Sequence, residues 1–255
     1  MKRLALVTGS AGDIGRAIAR RLKADHDLVV MTDRDLAAAT EAAAEFGAGF
    51  VAMQHDVTDP VSCAGVAEAT ARIGQVATLV NNAGGVQAAS LQSTSVADWQ
   101  ADRALNLDAA FFVFQALADQ LKATQGSVVN IASVNGMAVF GHPAYAAAKA
   151  GMIHLTRMIA VEYGRYGIRA NAVAPGTVRT RAWEARAANN PKVFEEAAAH
   201  YPLGRITLPE DVAEAVAFLA SPLAAAITGI CLPVDCGLTA GDLAQARTFT
   251  QSPDY

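Results

Sequence analysis

Short apolar runs alternate with longer amphipathic stretches from one end of the chain to the other. The apolar runs cover residues 4–7, 28–32, 50–53, 77–80, 127–132, 168–173 and 230–234. Runs of this length suit strands buried on both faces of a parallel sheet. Between them, residues 14–22, 36–46, 96–122, 143–164 and 209–220 read as helices; Ile14, Ile18 and Leu22, for example, share one face. Asp59-Pro60 opens a further helix, with aspartate at the cap and proline in the first turn. The alternation predicts an α/β chain with a doubly wound parallel sheet of about seven strands and helices on both faces. No linker, repeat or low-complexity tract divides residues 1–255, so a single domain is expected. Residues 179–201 break the pattern. They are polar and alanine-rich, follow the sixth strand, and are expected to form a helical insertion that covers a site.

Composition sharpens this picture. The hydrophobic fraction is 53%, but 57 of the 255 residues are alanine, so closely packed helices are implied more than a greasy core. A net charge of −4 without a lysine or arginine block leaves no footprint for nucleic acid or an anionic membrane. No apolar run reaches the roughly 18 residues of a membrane span. The basic start is followed by an apolar run at 4–7 that is too short for a signal-peptide core. The three cysteines, Cys63, Cys231 and Cys236, make no disulfide framework, and the last two are expected as buried thiols; a cytoplasmic location is expected. No spacing of His, Cys or Asp suggests a metal site.

The first strand runs into Thr8-Gly9-Ser10-Ala11-Gly12-Asp13-Ile14-Gly15, and a helix follows. Glycines here permit a tight turn and close backbone approach to a pyrophosphate, with free helix N–H groups beyond. This is the nucleotide loop of a Rossmann fold. Asp33 ends the second strand, 18 residues after Gly15, where a carboxylate can accept from ribose hydroxyls and repel a 2′-phosphate. NAD is therefore favoured over NADP, although the adjacent Arg34 could pair with that phosphate.

Four further segments combine with this loop: Asn81-Asn82-Ala83-Gly84; Asn106; Ser133 with Tyr145-Ala146-Ala147-Ala148-Lys149; and Pro175-Gly176-Thr177-Val178-Arg179-Thr180. Together they resemble the short-chain dehydrogenase/reductase family in its compact single-domain form, in order and spacing over nearly the whole chain. The family loop pattern TGxxxGxG matches Thr8, Gly9 and Gly15, with Ser10 and Ile14 inside it, but its middle glycine falls on Asp13. Asp13 is expected to point aside and cap the helix. The resemblance implies that Asp56 and Val57 hold the adenine, that Asn82, Ala83 and Gly84 line the ribose side, and that Pro175, Gly176, Val178 and Thr180 flank the nicotinamide.

Tyr145 and Lys149, at i and i+4, share one helix face. A phenol ordinarily titrates near 10, and a neighbouring ammonium lowers that value. The resemblance then implies Tyr145 as general acid/base, Lys149 also holding the nicotinamide ribose, Ser133 on the substrate oxygen, and Asn106 linking Lys149 to solvent. Gln87, Asn135, His142, Trp183 and Arg186 are candidates for the substrate pocket. The arginines at 179, 181 and 186 hint at an anionic substrate, with solvated lid charge as the favoured reading. The expected activity is NAD-dependent interconversion of a secondary alcohol, such as a sugar or polyol, with its carbonyl. The alternatives are an NADPH-dependent carbonyl or 3-ketoacyl reductase and a non-catalytic dinucleotide sensor. A small-molecule alcohol or carbonyl is the expected partner, and a homo-oligomer, favouring a tetramer, is implied by the family.

Overall fold

The computed structural model describes the chain except residues 182, 185–189, 191, 253 and 255. The strands are β1 (Arg3–Thr8), β2 (Leu28–Asp33), β3 (Phe50–Gln54), β4 (Gln75–Asn81), β5 (Ser127–Ile131), β6 (Arg169–Pro175) and β7 (Cys231–Val234). The helices are α1 (Asp13–Leu22), α2 (Leu36–Phe46), α3 (Pro60–Ile73), α4 (Val96–Arg103), α5 (Ala109–Thr124), α6 (Pro143–Tyr163), α7 (Val193–Ala198), α8 (Pro209–Ala220) and α9 (Leu243–Thr250). All seven strands are parallel, in the order β3-β2-β1-β4-β5-β6-β7.

Successive residues of each strand point to opposite faces. In β1, Ala5 and Val7 pack with Ile18 and Leu22 of α1 and Val212 and Val216 of α8. Leu4 and Leu6 pack on the other face with Val66 of α3, Val113 and Leu117 of α5, and Ile159 of α6. Every one of these residues is buried. The near-continuous apolar runs are thus the mark of a sheet covered twice. Strand order reverses between β1 and β4, and in such sheets the crevice at the carboxyl ends of the strands binds ligand.

One expected element differs. Residues 96–122 do not form one regular helix: a π-helical turn, Ala104–Asp108, separates α4 from α5. Ala109 N–H reaches back five residues to Ala104 O. The buried Asn106 amide meanwhile donates to Asp102 O at 2.9 Å, taking a carbonyl that a regular helix would give to the Asn106 N–H. Near the chain's end, Asp242 caps α9 by accepting from Gln245 N–H at 3.0 Å. Cys231 lies within β7 and both it and Cys236 are half-buried; burial pushes the Cys231 thiol up to about 11.

Candidate active site

The glycine loop leaves β1 at the reversal point and is stitched to the end of β4. Thr8 Oγ1 accepts from the N–H groups of Asn82 and Ala83, both at 3.0 Å. Asn82 Nδ2 donates to Thr8 O at 2.9 Å and to Gly9 O at 3.0 Å. Gly9 has φ +62, and a Cβ there would stand 2.8 Å from Ala83 Cα. A Cβ on Gly15 would stand 2.4 Å from Gly9 O. At Gly12 the nearest atom would be 3.6 Å away, ordinary contact. The loop therefore requires glycine at its two ends, which this sequence keeps.

Asp33 Oδ2 accepts from Ala11 N–H at 3.1 Å, so the carboxylate sits at the loop as expected. Its neighbour Asp35, not Asp33, caps α2. The Ser10 hydroxyl is buried and donates to Thr32 O at 3.2 Å, so its side chain holds the loop to β2. Asp13 points aside but does not cap α1. Gly12 is the cap position and has no side chain to give, and the Asp13 carboxylate is taken by Arg181. Asp56 Oδ1 accepts from Thr58 Oγ1 at 2.6 Å and Thr58 N–H at 2.9 Å, bonds that hold its carboxyl below the usual range. Val57 beside it is buried.

A cavity of about 1140 Å³ opens over the carboxyl ends of β4, β5 and β6. Its walls bring together Ile14, Asn82, Gly84, Ser133, Asn135, His142, Tyr145, Lys149, Pro175, Gly176, Val178, Thr180 and Trp183 of the expected residues. Ser133 ends the segment after β5, and α6 presents Tyr145 and Lys149 one turn apart. Lys149 is buried, donates from Nζ to Ile131 O at 2.7 Å, and lies 5.5 Å from the Tyr145 ring centre. Burial brings its ammonium down to about 7. Burial also raises the Tyr145 phenol, and a hydrogen bond with Ser133 opposes the rise. The ring is partly open to the cavity. Asn106 lies behind this wall. Its amide donates to Gly85 O at 2.8 Å, and its Oδ1 accepts from Gly85 N–H at 3.3 Å. A Cβ on Gly84 would stand 2.9 Å from Asn106 Oδ1 and 3.4 Å from Lys149 Nζ, so glycine keeps the space between them open.

The substrate side is less as expected. Gln87 is exposed and outside the cavity wall; its backbone N–H faces Asp102 instead, at 3.4 Å. Asn135 Nδ2 is engaged with Gly141 O at 2.9 Å, and the His142 ring with Ala88 O at 3.0 Å. Arg186 lies outside the described residues. Arg179 pairs with Glu184 and Arg181 with Asp13, which accounts for two of the three lid arginines by contacts within the chain. Sequence reasoning missed His200, Tyr201, Thr239, Asp242 and Arg247 on the far wall. Tyr201 alone carried a signal, as a bulky aromatic closing a polar segment; its hydroxyl accepts from Thr177 N–H at 2.9 Å. It also missed Asp102, a buried carboxyl whose Oδ1 has no partner among the described residues and whose pKa burial raises. Among the described residues no His, Cys, Asp or Glu group could hold a metal, and no helix is long and apolar enough to cross a membrane.

A doubly wound parallel sheet with a glycine loop at its reversal point defines the Rossmann class of nucleotide-binding folds. A family model described as enoyl-(acyl carrier protein) reductase matches residues 9–239. A crystal structure of an oxidoreductase of the short chain dehydrogenase/reductase family from Burkholderia thailandensis is 44% identical, covers 100% of both chains and superposes with a TM-score of 0.94. Meso-2,3-butanediol dehydrogenase of Serratia marcescens is 35% identical over 94% of this chain and 96% of its own. Galactitol 2-dehydrogenase (L-tagatose-forming) of Cereibacter sphaeroides is 36% identical over 92% and 94%. The chain belongs to the short-chain dehydrogenase/reductase family, whose members bind a nicotinamide dinucleotide and act as oxidoreductases on alcohols. The loop fits that cofactor, with glycine kept where a Cβ would collide.

Proposed function

We propose that this protein is an NAD-dependent dehydrogenase that interconverts a secondary alcohol of the sugar or polyol type with its carbonyl, using Tyr145 as general acid/base. The observation that carries the reading is the gathering of Ser133, Tyr145 and Lys149 around one cavity, with Lys149 one turn along α6 and its Nζ 5.5 Å from the Tyr145 ring centre. Bound NAD would supply the hydride acceptor. The adenosine end would lie on Asp33, Asp56 and Val57; the diphosphate on the loop of Gly9, Ile14 and Gly15 at the start of α1; and the nicotinamide end between Asn82–Gly84 and Pro175, Gly176, Val178 and Thr180.

Ser133 holds the substrate oxygen by hydrogen bonding, and Tyr145 takes the hydroxyl proton as negative charge develops there. The phenol must first give its own proton to solvent in the cavity, and burial opposes that. Protonated Lys149 favours the phenolate by proximity, and burial makes it easy to deprotonate. Asn106 holds Gly85 by both its N–H and its carbonyl, keeping the wall beside Lys149 in place. In the reverse direction Tyr145 returns the proton to the carbonyl oxygen.

The likeness to butanediol and galactitol dehydrogenases supports a vicinal diol or polyol substrate. Asp33 supports NAD, since its carboxylate at the loop repels a 2′-phosphate; the exposed Arg34 next to it is what would favour NADP. We also propose a homo-oligomer, with tetramer favoured, in the cytoplasm. Initial rates with NAD and NADP across alcohols, polyols, aldoses and acidic sugars test the reading. The expected result is turnover of a polyol with kcat/KM at least about tenfold higher for NAD, equivalent to about 1.4 kcal/mol. Preference for NADP would overturn the cofactor assignment, and no turnover of any alcohol would overturn the activity.

A further inference from the structure

Asp13, which stands where the family pattern has glycine, is paired across the fold. It is the first residue of α1, where free N–H groups and the helix dipole attract anions. Its Oδ2 accepts from the Arg181 backbone N–H at 2.7 Å, and its Oδ1 from Arg181 Nε at 2.6 Å. Arg181 Nη2 lies 3.4 Å from Ala11 O, so the same guanidinium also leans on the glycine loop. Arg181 sits 168 residues along the chain, at the start of the segment over the cavity. The chain neighbours of the pair, Ile14 and Thr180, both line the cavity. The pair therefore bridges the loop and the lid at the cavity mouth. A lone carboxylate at this helix end would repel a diphosphate; the paired one adds no net charge.

We propose that Arg181 is a dinucleotide-binding determinant: it neutralises Asp13, so that the start of α1 still accepts a diphosphate, and it ties residue 181 to the glycine loop. The proposal rests on dinucleotide binding and holds for NAD or NADP alike. Glycine at position 13 would need no such partner, so Asp13 and Arg181 act as one unit. Loss of the arginine alone is then worse than loss of both charges.

Calorimetric titration of ADP-ribose and of NADH into the intact protein reads this without turnover. Arg181→Ala is expected to weaken both probes on the order of tenfold at low salt, and less at high salt, because a bare carboxylate then faces the diphosphate. Asp13→Asn keeps the shape and removes the charge, and Asp13→Asn with Arg181→Ala should return affinity close to wild type. The Arg181 side chain is 69% exposed, so these variants leave the core intact. Unchanged binding by Arg181→Ala would overturn the proposal, as would a double variant as weak as Arg181→Ala alone. Wild-type protein that binds neither probe would overturn this proposal and the proposed function together. Wild-type protein that binds both probes but oxidises no alcohol would overturn the proposed function only.

Discussion

Tyr145 and Lys149 meet opposite demands from one buried wall. Desolvation favours the neutral form of each, so the phenol rises while the ammonium falls to about 7. Tyr145→Phe should cut turnover by roughly 10²–10⁴, the usual worth of a general acid/base, and leave the NADH dissociation constant unchanged. Lys149 also bears on stability. Its folded pKa lies below the unfolded 10.5, so between pH 7 and 10.5 the unfolded chain binds the extra proton and stability rises with pH. At about 1.4 kcal/mol per pH unit the charged lysine costs up to ~5 kcal/mol below pH 7, before relaxation and the bond to Ile131 O reduce it. Lys149→Met without cofactor should therefore melt several degrees higher than wild type at pH 6–7. That gain should shrink toward pH 10, as thermal melts across pH would show.

At the scale of elements, the helices at 36–46 and 209–220 and the cap at Asp59 stand as the sequence pattern predicts, because period and capping residue agree. The π-turn after α4 was illegible: no glycine or proline marks it, and it depends on a tertiary bond from Asn106 to Gly85. The glycine loop and Ser133 follow the carboxyl ends of β1 and β5, which the fold must converge, and α6 brings Tyr145 and Lys149 beside Ser133. The far wall was not legible, since His200, Thr239 and Arg247 come from irregular or weakly patterned segments whose return to the cavity is set by tertiary packing. The helix α9 places Leu243, Ala244 and Arg247 on that wall. Ending the chain at Gly241 should therefore raise KM for the alcohol severalfold and leave NADH affinity near wild type, because the glycine loop is untouched. Equal losses of both would mean that α9 supports the whole site.

For the whole molecule, the helices α5 and α6 leave Phe111, Met158 and Val161 exposed on the surface away from the sheet. Exposed apolar side chains of this size are where the proposed oligomer would pack. Light scattering should give a mass above that of one chain, and Val161→Glu should lower it while the isolated fold persists. A monomeric wild type would refute the oligomer. The seven-stranded core, covered twice, carries the site at one edge only, so altering an outer helix face should leave dinucleotide affinity untouched.

The stitching of Thr8 and Asn82 has a kinetic meaning. Four hydrogen bonds hold residues 8–9 against 82–83 with protein partners alone, so the ligand need not organise the floor of its own berth. Little chain entropy is then surrendered on docking, and the dinucleotide meets a rigid seat beneath a separate, more irregular roof. Cofactor should thus arrive first and fast, with the slower adjustment left to whatever closes over the alcohol. Thr8→Val, which keeps the shape but loses two acceptor bonds, would turn that rigid seat into one assembled on arrival.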